Sequence, residues 1–448
     1  MSFWLAFLFV VQTHAAVSVP ANEVAPQALK INLNIEKFKL PNGLTVILNP
    51  DPTVPLISYH TWFRVGSRDE TPGSTGIAHL FEHLMFKGAK RYDGKTFDKL
   101  LSANGASHNA FTTPDYTAFY ANIPSSKLEL VMDLESDRME NLKLTEENLK
   151  SELEVVKEER RYRVENQPTG RLSELVNSTV FKVYPYRWPV IGYAQDLDHM
   201  NLTNCQKFYR TFYAPNNAVI VISGDFSVSD AKYLLQKYYG GIKSQVLPEH
   251  HYPEEPPQTS GRQARIEKNI QNEYVSLAFR TVPDGHEDSY ALEVLAGLLG
   301  DGTSSRLYRK LVDQKQLATG VGVSNHGAEG PGVFQAIVSL KPGASHDDTL
   351  QALFGEIWDS RNRLYSDKEL LKAKNQLMKS YVEGLKTVSG RAFSLAFNEV
   401  ALGSYDYLFK DLEKYNQVTS ADVKRVAAKY LDNSLRNLIV IIPTGKKQ

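Results

Sequence analysis

The sequence predicts an α+β protein built from two copies of one unit, and three observations support this prediction. Strand-like and helical segments occur in blocks rather than in strict alternation, which is typical of α+β folds. A polar, proline-rich stretch divides the chain near its middle. Each half ends with a similar pattern, a helix followed by an apolar β-branched strand, and this recurrence indicates an internal duplication.

The length and charge of the chain exclude several classes of protein. Its 448 residues correspond to about two to four domains, since a domain typically takes roughly 100–200 residues. The 51 basic side chains balance 51 acidic ones, so the basic excess typical of nucleic-acid-binding proteins is missing. The single cysteine, Cys205, excludes an intrachain disulfide framework and a cysteine-rich metal site. A bound metal would therefore need His, Glu or Asp ligands.

An apolar run at residues 3–11 is followed by the small residues Ala15 and Ala16, a pattern that predicts a signal peptide over residues 1–16. The run is shorter than the ~20 residues that span a bilayer. No Lys or Arg precedes it, which departs from the usual signal pattern, and an N-terminal strand or a disordered tag is the alternative. We expect export to a periplasm of the Gram-negative type, with no membrane-spanning segment.

The elements of the first half are predicted from turn signals and hydrophobic periodicity. A turn at Asn42-Gly43 leads into a β-branched strand, and other apolar or alternating runs predict further strands. Apolar residues at helical spacing predict four helices. The turn and the strand that follows it are predicted at residues 41–48, and further strands at residues 57–65, 106–123 and 217–223. The helices are predicted at residues 76–87, 95–103, 126–142 and 145–165.

Residues 244–264 are predicted to be an interdomain linker, because prolines, histidines and glutamates replace the apolar residues of a core element. The linker separates an N-terminal domain, residues 17–243, from a C-terminal domain, residues 265–448. Asn217 and the strand at 218–222 near the end of the first domain recur as Asn437 and the strand at 438–442. Duplication is the simplest explanation, and shared secondary structure alone is the alternative.

A His-x-x-Glu-His motif, formed by His79, Glu82 and His83, lies inside an apolar helical pattern. Positions i, i+3 and i+4 share one helical face, so both imidazoles can bind one cation while Glu82 reaches a water on it. Zinc is favoured because two imidazoles and a carboxylate leave an open position, where the pKa of bound water falls to about 7. A solvated polar face is the alternative, but burying these groups without a partner in so apolar a helix would be costly.

The helix predicted at residues 145–165 offers a third protein ligand. At roughly 100° per residue, its inward stripe consists of Leu149, Leu153, Val155 and Val156. Glu152 and Glu159 fall within or beside this stripe, whereas Glu154 and Glu158 point to solvent, where they can pair with nearby Lys or Arg. One of the two buried carboxylates can bind the metal while the other holds a histidine ring or the first carboxylate in place.

His-x-x-Glu-His is the inverzincin signature, and the sequence resembles the pitrilysin/insulinase family of zinc metallopeptidases. Further family motifs follow in the family's order from about residue 40 to residue 443. They include Gly66-Ser67-Arg68-Asp69-Glu70, Asn109-Ala110-Phe111-Thr112, Val155-Val156-Lys157-Glu158-Glu159 and Ser305-Arg306-Leu307-Tyr308. The resemblance implies two homologous α/β-roll domains, each a mixed sheet with helices packed on one side, that together form half of a clamshell.

The resemblance also assigns the roles of the site residues. It implies one zinc ion per chain, bound by His79, His83 and Glu159, with Glu82 as general base and Glu152 as supporting carboxylate. This assignment agrees with the sorting of helical faces. The C-terminal domain lacks a metal motif, so its corresponding helix is expected to be structural.

Substrate binding is implied for Asn109, Ala110 and Phe111, which would lie in an edge strand that pairs with an extended substrate. A turn role is the alternative for Asn109. The family usually places an Arg and, seven residues later, a Tyr in the second domain, but here Val312 and Thr319 occupy those positions. Neither supplies a strong donor to an oxyanion. We therefore expect a heterodimer whose second subunit has the same fold and supplies the Arg/Tyr pair.

The predicted function is a zinc-dependent endopeptidase that hydrolyses peptides or unfolded segments held extended inside a chamber. Glu82 would act as general base on zinc-bound water. Two alternatives are a non-catalytic structural subunit and a peptide-binding subunit of the same fold.

Overall fold

The computed structural model describes residues 32–445, so the predicted signal peptide at residues 1–16 lies outside the described part of the chain. The strands are β1 (Glu36–Lys39), β2 (Thr45–Pro50), β3 (Leu56–Phe63), β4 (Ser107–Thr112), β5 (Thr117–Pro124), β6 (Ala218–Gly224), β7 (Arg262–Lys268), β8 (Tyr274–Arg280), β9 (Ala318–His326), β10 (Val333–Leu340) and β11 (Asn437–Pro443). The helices are α1 (Ile77–Leu84), α2 (Gly94–Ala103), α3 (Leu128–Asn141), α4 (Glu146–Arg160), α5 (Pro168–Val180), α6 (Ala194–Asp198), α7 (Leu202–Phe212), α8 (Val228–Tyr239), α9 (Glu287–Gly300), α10 (His346–Ser360), α11 (Asp367–Leu385), α12 (Val388–Ala401), α13 (Tyr407–Gln417) and α14 (Ser420–Tyr430). No helix between residues 32 and 445 is long and apolar enough to cross a bilayer.

Two mixed sheets of the same topology organise the chain. The first has the strand order β1-β2-β6-β3-β5-β4, and the second has the order β7-β11-β8-β10-β9. In each sheet the last strand of the half runs parallel to the first long strand and antiparallel to its other neighbour. The predicted α+β class and the duplication are therefore confirmed, and β4 lies at an edge of the first sheet.

The predicted strand at residues 106–123 is two strands, β4 and β5, joined by a turn. The Thr113 hydroxyl accepts hydrogen bonds from the backbone N–H groups of Asp115 and Tyr116, at 3.1 and 3.0 Å. Pro114 has no N–H to donate to a ladder, so the chain reverses here. The reversal creates the antiparallel β4–β5 pair that forms the sheet edge.

The helix that carries the predicted carboxylate ligand begins and ends at identifiable signals. Thr145 caps α4 through its hydroxyl, which accepts a hydrogen bond of 3.1 Å from the N–H of Asn148. After Arg160 the backbone widens into a π-helical turn, in which the N–H of Asn166 donates to the carbonyl of Arg161, five residues back. Val155, which is predicted to face inward, is 47% exposed, whereas Val156 is buried. The roughly 100° between consecutive helical residues carries Val155 past the edge of the buried stripe.

The two halves interlock through one helix each. Helices of the first half, among them α1, α3 and α8, pack on one face of the first sheet, and α12 of the second half covers the opposite face. There, Trp62, Val219 and Val221 of the sheet contact the buried helical residues Leu395 and Ala396. We call this contact the crossing cluster.

The reciprocal contact is made by α5 of the first half. Its residues Leu172 and Val176 pack beneath Ile439 and Ile441 of the second sheet. Each sheet therefore buries its second face against a helix that belongs to the other half of the chain.

Residues 240–261 contain no helix or strand and join α8 to β7. This connection is fixed by hydrogen bonds to the first half. Glu255 accepts three backbone N–H donations, from Lys182, Val183 and Tyr184, at 2.7–2.9 Å, and the Tyr252 hydroxyl donates to Asp69 at 2.5 Å. These contacts hold the connection against the segment that follows α5 and against the loop that precedes α1.

The second half contains a buried carboxyl group whose ionisation should affect stability. Burial raises the pKa of Glu293 to about 8, the neighbouring carboxyl groups of Asp284 and Asp411 add to this, and the hydroxyl donated by Tyr415 opposes it. The folded protein therefore keeps a proton that the unfolded chain releases, so stability should decrease as pH rises from about 5 through about 8. We expect Glu293→Gln to stabilise the protein by about 2–4 kcal/mol at pH 9.

Thermal unfolding of wild type and Glu293→Gln at pH 6 and pH 9 measures this effect. Glu383→Gln, at a glutamate with 52% exposure in α11, is the matched control and should change little at either pH. Equal responses of the two variants at pH 9 would contradict the prediction.

Candidate metal centre

The helix α1 that carries the His-x-x-Glu-His motif is capped by a carboxylate. Glu70 is buried and accepts hydrogen bonds of 2.9 Å from the backbone N–H groups of Gly76 and Ala78. A negative charge at this end is favourable because the N-terminal N–H groups of a helix lack internal partners. Gly76 has φ +93, and a Cβ there would lie 2.7 Å from the carbonyl oxygen of Ile191. The tight entry to α1 thus requires glycine.

His79, His83 and Glu159 are brought together, with one ligand atom of each lying within 4.8 Å of the others. Oε2 of Glu159 is 3.2 Å from Nε2 of His83 and 3.7 Å from Nε2 of His79. Tetrahedral zinc with ligands at about 2.0–2.2 Å separates its ligand atoms by about 3.3–3.6 Å. Two imidazoles and one carboxylate at this spacing fit a zinc ion with one position left open.

Glu152 lies behind His83. Its Oε2 is 3.4 Å from Nδ1 of His83, and its Oε1 is 2.5 Å from Nζ of Lys87. A carboxylate on the second ring nitrogen fixes the tautomer and the orientation of a metal-binding histidine. The structure therefore places Glu152 where it can orient the His83 ring. The ion pair with Lys87 in turn holds the Glu152 carboxylate in place.

The ionisable groups of the site shift one another's pKa values. Burial alone would lower the pKa of the His83 imidazole, but hydrogen bonds with Glu152 and Glu159 outweigh burial and raise it to about 9. Burial opposes ionisation of Glu159, but its hydrogen bond with His83 and the charges of His79 and Arg163 lower its pKa to about 2. Burial lowers the pKa of His79. Glu159 is therefore ionised, whereas the His83 imidazolium must release its proton before the ring can bind a divalent cation, because a metal-binding histidine is neutral.

Glu82 lies between the two histidines on α1 and is buried. Its Oε2 accepts a hydrogen bond of 2.7 Å from the hydroxyl of Thr112, the last residue of β4. This bond ties the predicted general base to the edge strand. The hydrogen bond thus fixes the carboxylate of Glu82 on the helix that carries both histidines.

The predicted substrate-binding residues Asn109, Ala110 and Phe111 lie in the middle of β4. Ala110 packs with α1 residues in the first core, whereas Phe111 packs in the crossing cluster beside Trp62. The amide oxygen of Asn109 accepts a hydrogen bond of 2.9 Å from the N–H of Ala110. The helix α1 and the edge strand β4 are therefore adjacent, and the outer side of β4 is the edge of the first sheet.

The family resemblance implies an Arg at position 312 and a Tyr at position 319, but the chain has Val312 and Thr319 there. Val312 lies in a π-helical segment, Tyr308–Gln314, and packs against the second core. Thr319 lies in β9 and donates its hydroxyl to the carbonyl of Ser339 at 3.2 Å.

Three contacts of the site were not predicted from the sequence. They are made by Glu70, Lys87 and Arg163. Arg163 lies four residues after Glu159, a spacing that puts both on one helical face. Lys87 lies four residues after His83 and within the predicted helix at residues 76–87, although α1 ends at Leu84. Glu70 caps α1 from a loop, and only the tertiary structure reveals this contact.

Comparisons with known proteins match both halves of the chain. The sequence profile described as Insulinase (Peptidase family M16) matches residues 45–193, and the profile described as Peptidase M16 inactive domain matches residues 199–377. The Helicobacter pylori protein named zinc protease PqqE is 30% identical over 418 residues, which cover 91% of this chain and 93% of that protein. A Bacillus subtilis protein described as the uncharacterized zinc protease YmxG is 26% identical over 415 residues, covering 92% of this chain and 99% of that protein.

Solved structures show the same architecture. The crystal structure of a protease from Helicobacter pylori matches with a TM-score of 0.88 at 29% identity and covers 92% of this chain and all of that one. A Pseudomonas fluorescens structure described as a peptidase M16 inactive domain matches in fold, with a TM-score of 0.84 at 18% identity, covering 93% of this chain and 99% of that one. Fold and sequence together define a two-domain, zinc-peptidase-type protein.

The chain belongs to peptidase family M16, the insulinase family. The resemblance predicted from the sequence is thereby confirmed, together with the fold class. At the level of the family, the names of the relatives support a peptidase-type function and zinc as the metal.

Proposed function

We propose that the protein is a zinc-dependent endopeptidase that hydrolyses peptides or unfolded segments bound in extended form. One observation carries this proposal: His79, His83 and Glu159 converge within 4.8 Å, and the buried Glu82 lies on the same helix between the two histidines. A purely structural protein has no need for this combination, because buried ionisable groups without a ligand cost stability.

The ligands would be His79, His83 and Glu159, and the zinc ion when bound would act as a Lewis acid toward water and the peptide carbonyl. Glu82 accepts the proton of the attacking water and returns it to the leaving amine. Thr112 keeps the Glu82 carboxylate oriented through the hydrogen bond it donates. Glu152 keeps the His83 ring from rotating, since it contacts the nitrogen that faces away from Glu159.

We further propose that β4 aligns the substrate. An extended peptide can add to the outer edge of the sheet through backbone hydrogen bonds, and this mode of binding requires little of the side-chain sequence. Asn109, Ala110 and Phe111 would form the pairing segment. Because β4 ends at Thr112, which contacts Glu82, a peptide paired there passes beside the general base.

The partner and the compartment are also proposals. Val312 and Thr319 cannot supply the charge or the long hydroxyl side chain that would stabilise an oxyanion. We propose a second subunit of the same fold that supplies an Arg/Tyr pair and closes the chamber. The apolar run at residues 3–11 supports export to the periplasm.

Metal content and cleavage test the proposal directly. The purified chain should bind about one zinc ion, as a site of this kind does, and should cleave an unfolded protein, alone or together with a partner co-purified from the native host. His79→Ala should lose both the zinc and the cleavage. His251→Ala, at a histidine with 84% exposure, is the matched control and should keep both.

Two outcomes would contradict the proposal and support its alternatives. A wild-type chain that binds no zinc would support a structural subunit. A chain that binds zinc but shows no turnover even with its partner would support a peptide-binding subunit.

A further inference from the structure

The two oxygens of the Glu159 carboxylate have different neighbours. Oε2 faces the two imidazoles, at 3.2 Å from His83 and 3.7 Å from His79. Oε1 points the other way and is 3.0 Å from Nη1 of Arg163. The carboxylate therefore presents one oxygen to the metal position and one to a guanidinium.

We infer that Arg163 is a positioning residue that holds Glu159 in the orientation required for zinc binding. This inference rests on the proposed zinc centre and adds a residue to it. The terminal torsion of a glutamate side chain is broad, so a carboxylate without a second contact can rotate away from a metal. A guanidinium on one oxygen restricts that rotation, as outer contacts of metal ligands commonly do.

The backbone that carries Arg163 is fixed from two sides. Gly170 of α5 packs so closely that a Cβ there would lie 1.9 Å from the carbonyl oxygen of Arg163. Lys268 of β7, in the second half, donates a hydrogen bond to the carbonyl oxygen of Glu165. The π-helical turn that contains Arg163 is therefore held between α5 and the second sheet.

The neighbouring Arg160 anchors α4, the helix that carries Glu159. Its side chain is buried, donates to the carbonyl oxygen of Gly192 at 2.8 Å, and pairs with Glu174 at 3.0 Å. Gly192 in turn packs against the backbone of Thr75 and Gly76 at the start of α1. The end of α4 and the start of α1 are thus tied together. What remains free is the side chain of Glu159, and its contact with Arg163 restricts the rotation of that carboxylate.

Two effects of Arg163 oppose each other. Its positive charge repels a divalent cation, which would weaken zinc binding. Its side chain is 40% exposed, so solvent screens that repulsion. It also offsets the negative charge that Glu82, Glu152 and Glu159 bring to one site. The guanidinium lies 3.0 Å from Oε1, and we expect its orienting effect on the carboxylate to dominate.

Zinc affinity measured by competition with a chromogenic chelator tests the inference. Arg163→Gln, which removes the charge and the fork of donors, should bind zinc about 10–100-fold more weakly than wild type, the range typical for loss of an outer contact to a metal ligand. Arg163→Lys should recover part of the loss, because it keeps the charge and one donor. Arg161→Gln is the matched control: Arg161 is 54% exposed and pairs with Glu158, outside the site, so the affinity should not change.

Two further measurements separate positioning from a loss of structure. Thermal unfolding of the metal-free proteins should give the same midpoint for Arg163→Gln and Arg161→Gln. The visible absorption of the cobalt-substituted protein should change in Arg163→Gln, move back toward wild type in Arg163→Lys and stay unchanged in Arg161→Gln, because it reports the ligand geometry.

Unchanged or tighter zinc binding by Arg163→Gln would overturn the inference while leaving the proposed function intact. A wild-type chain that binds no zinc would overturn both. Since the measurement uses metal alone, its outcome does not depend on finding a substrate or a partner.

Discussion

Replacing Glu82 by Gln should reduce peptide cleavage by about 10²–10⁴-fold, the usual contribution of a general base, while zinc stays bound. The amide has nearly the same shape as the carboxylate and can still accept the hydrogen bond that Thr112 donates at 2.7 Å. It cannot take a proton from water at neutral pH. Because the proposed zinc ligands are His79, His83 and Glu159, the metal content should remain near one ion per chain. Zinc analysis and single-turnover cleavage of a labelled peptide measure the two effects on the same sample.

Glu154→Gln is the control for this experiment. Glu154 lies on α4 with 64% exposure and pairs with Lys157, so its replacement removes the same charge at a distance from the site and should leave cleavage unchanged. Undiminished turnover in Glu82→Gln with zinc retained would refute the role of Glu82. A simultaneous loss of zinc would mean that Glu82 supports the metal rather than the proton transfer.

Leu395→Ala should destabilise the folded protein by about 2–5 kcal/mol, the range for leucine truncation in a core that cannot collapse around the cavity. Leu395 is fully buried in the crossing cluster, where it belongs to α12 but packs on the sheet of the other half. Trp62 lies in the same cluster and is fully buried. Urea unfolding followed by tryptophan fluorescence should therefore show an earlier transition, even though the substitution and Trp62 are in different halves.

Leu371→Ala provides the comparison, because Leu371 is 39% exposed on α11. Its truncation should change the free energy of unfolding by no more than about 0.5 kcal/mol. If Leu395→Ala and Leu371→Ala unfold at the same urea concentration, the crossing cluster does not contribute to stability as described.

Much of the fold could be predicted from the sequence because it depends on local patterns. The duplication was visible in Asn217 and Asn437 and the apolar strands that follow them, and both strands occupy equivalent central places in their sheets. Helical periodicity placed Glu152 and Glu159 on the inner side of α4. Periodicity failed for Val155, which lies at the edge of the stripe, where a rotation of one residue decides between core and solvent.

The exchange of α5 and α12 could not be predicted in this way. An apolar helical face shows that a helix is buried but does not identify the sheet that buries it. The same limit applies to Arg163 and Lys87, whose charges predict solvent exposure. The contact of Lys87 with Glu152 depends on the approach of α4 to the end of α1, which is a tertiary feature. Arg163 lies four residues after Glu159, and this spacing was the only signal available for its contact.

The reciprocal cover of the two sheets has a consequence for how a substrate reaches the zinc position. A hinge-like opening between the halves of one chain would have to peel α12 from the first sheet or α5 from the second, exposing Trp62, Val219, Ile439 and Ile441 to water. Such a movement costs far more than thermal motion provides, since each large apolar side chain contributes about 1.5–3 kcal/mol when buried. The single chain should therefore behave as a rigid unit, and a substrate should enter when this unit separates from the proposed second subunit.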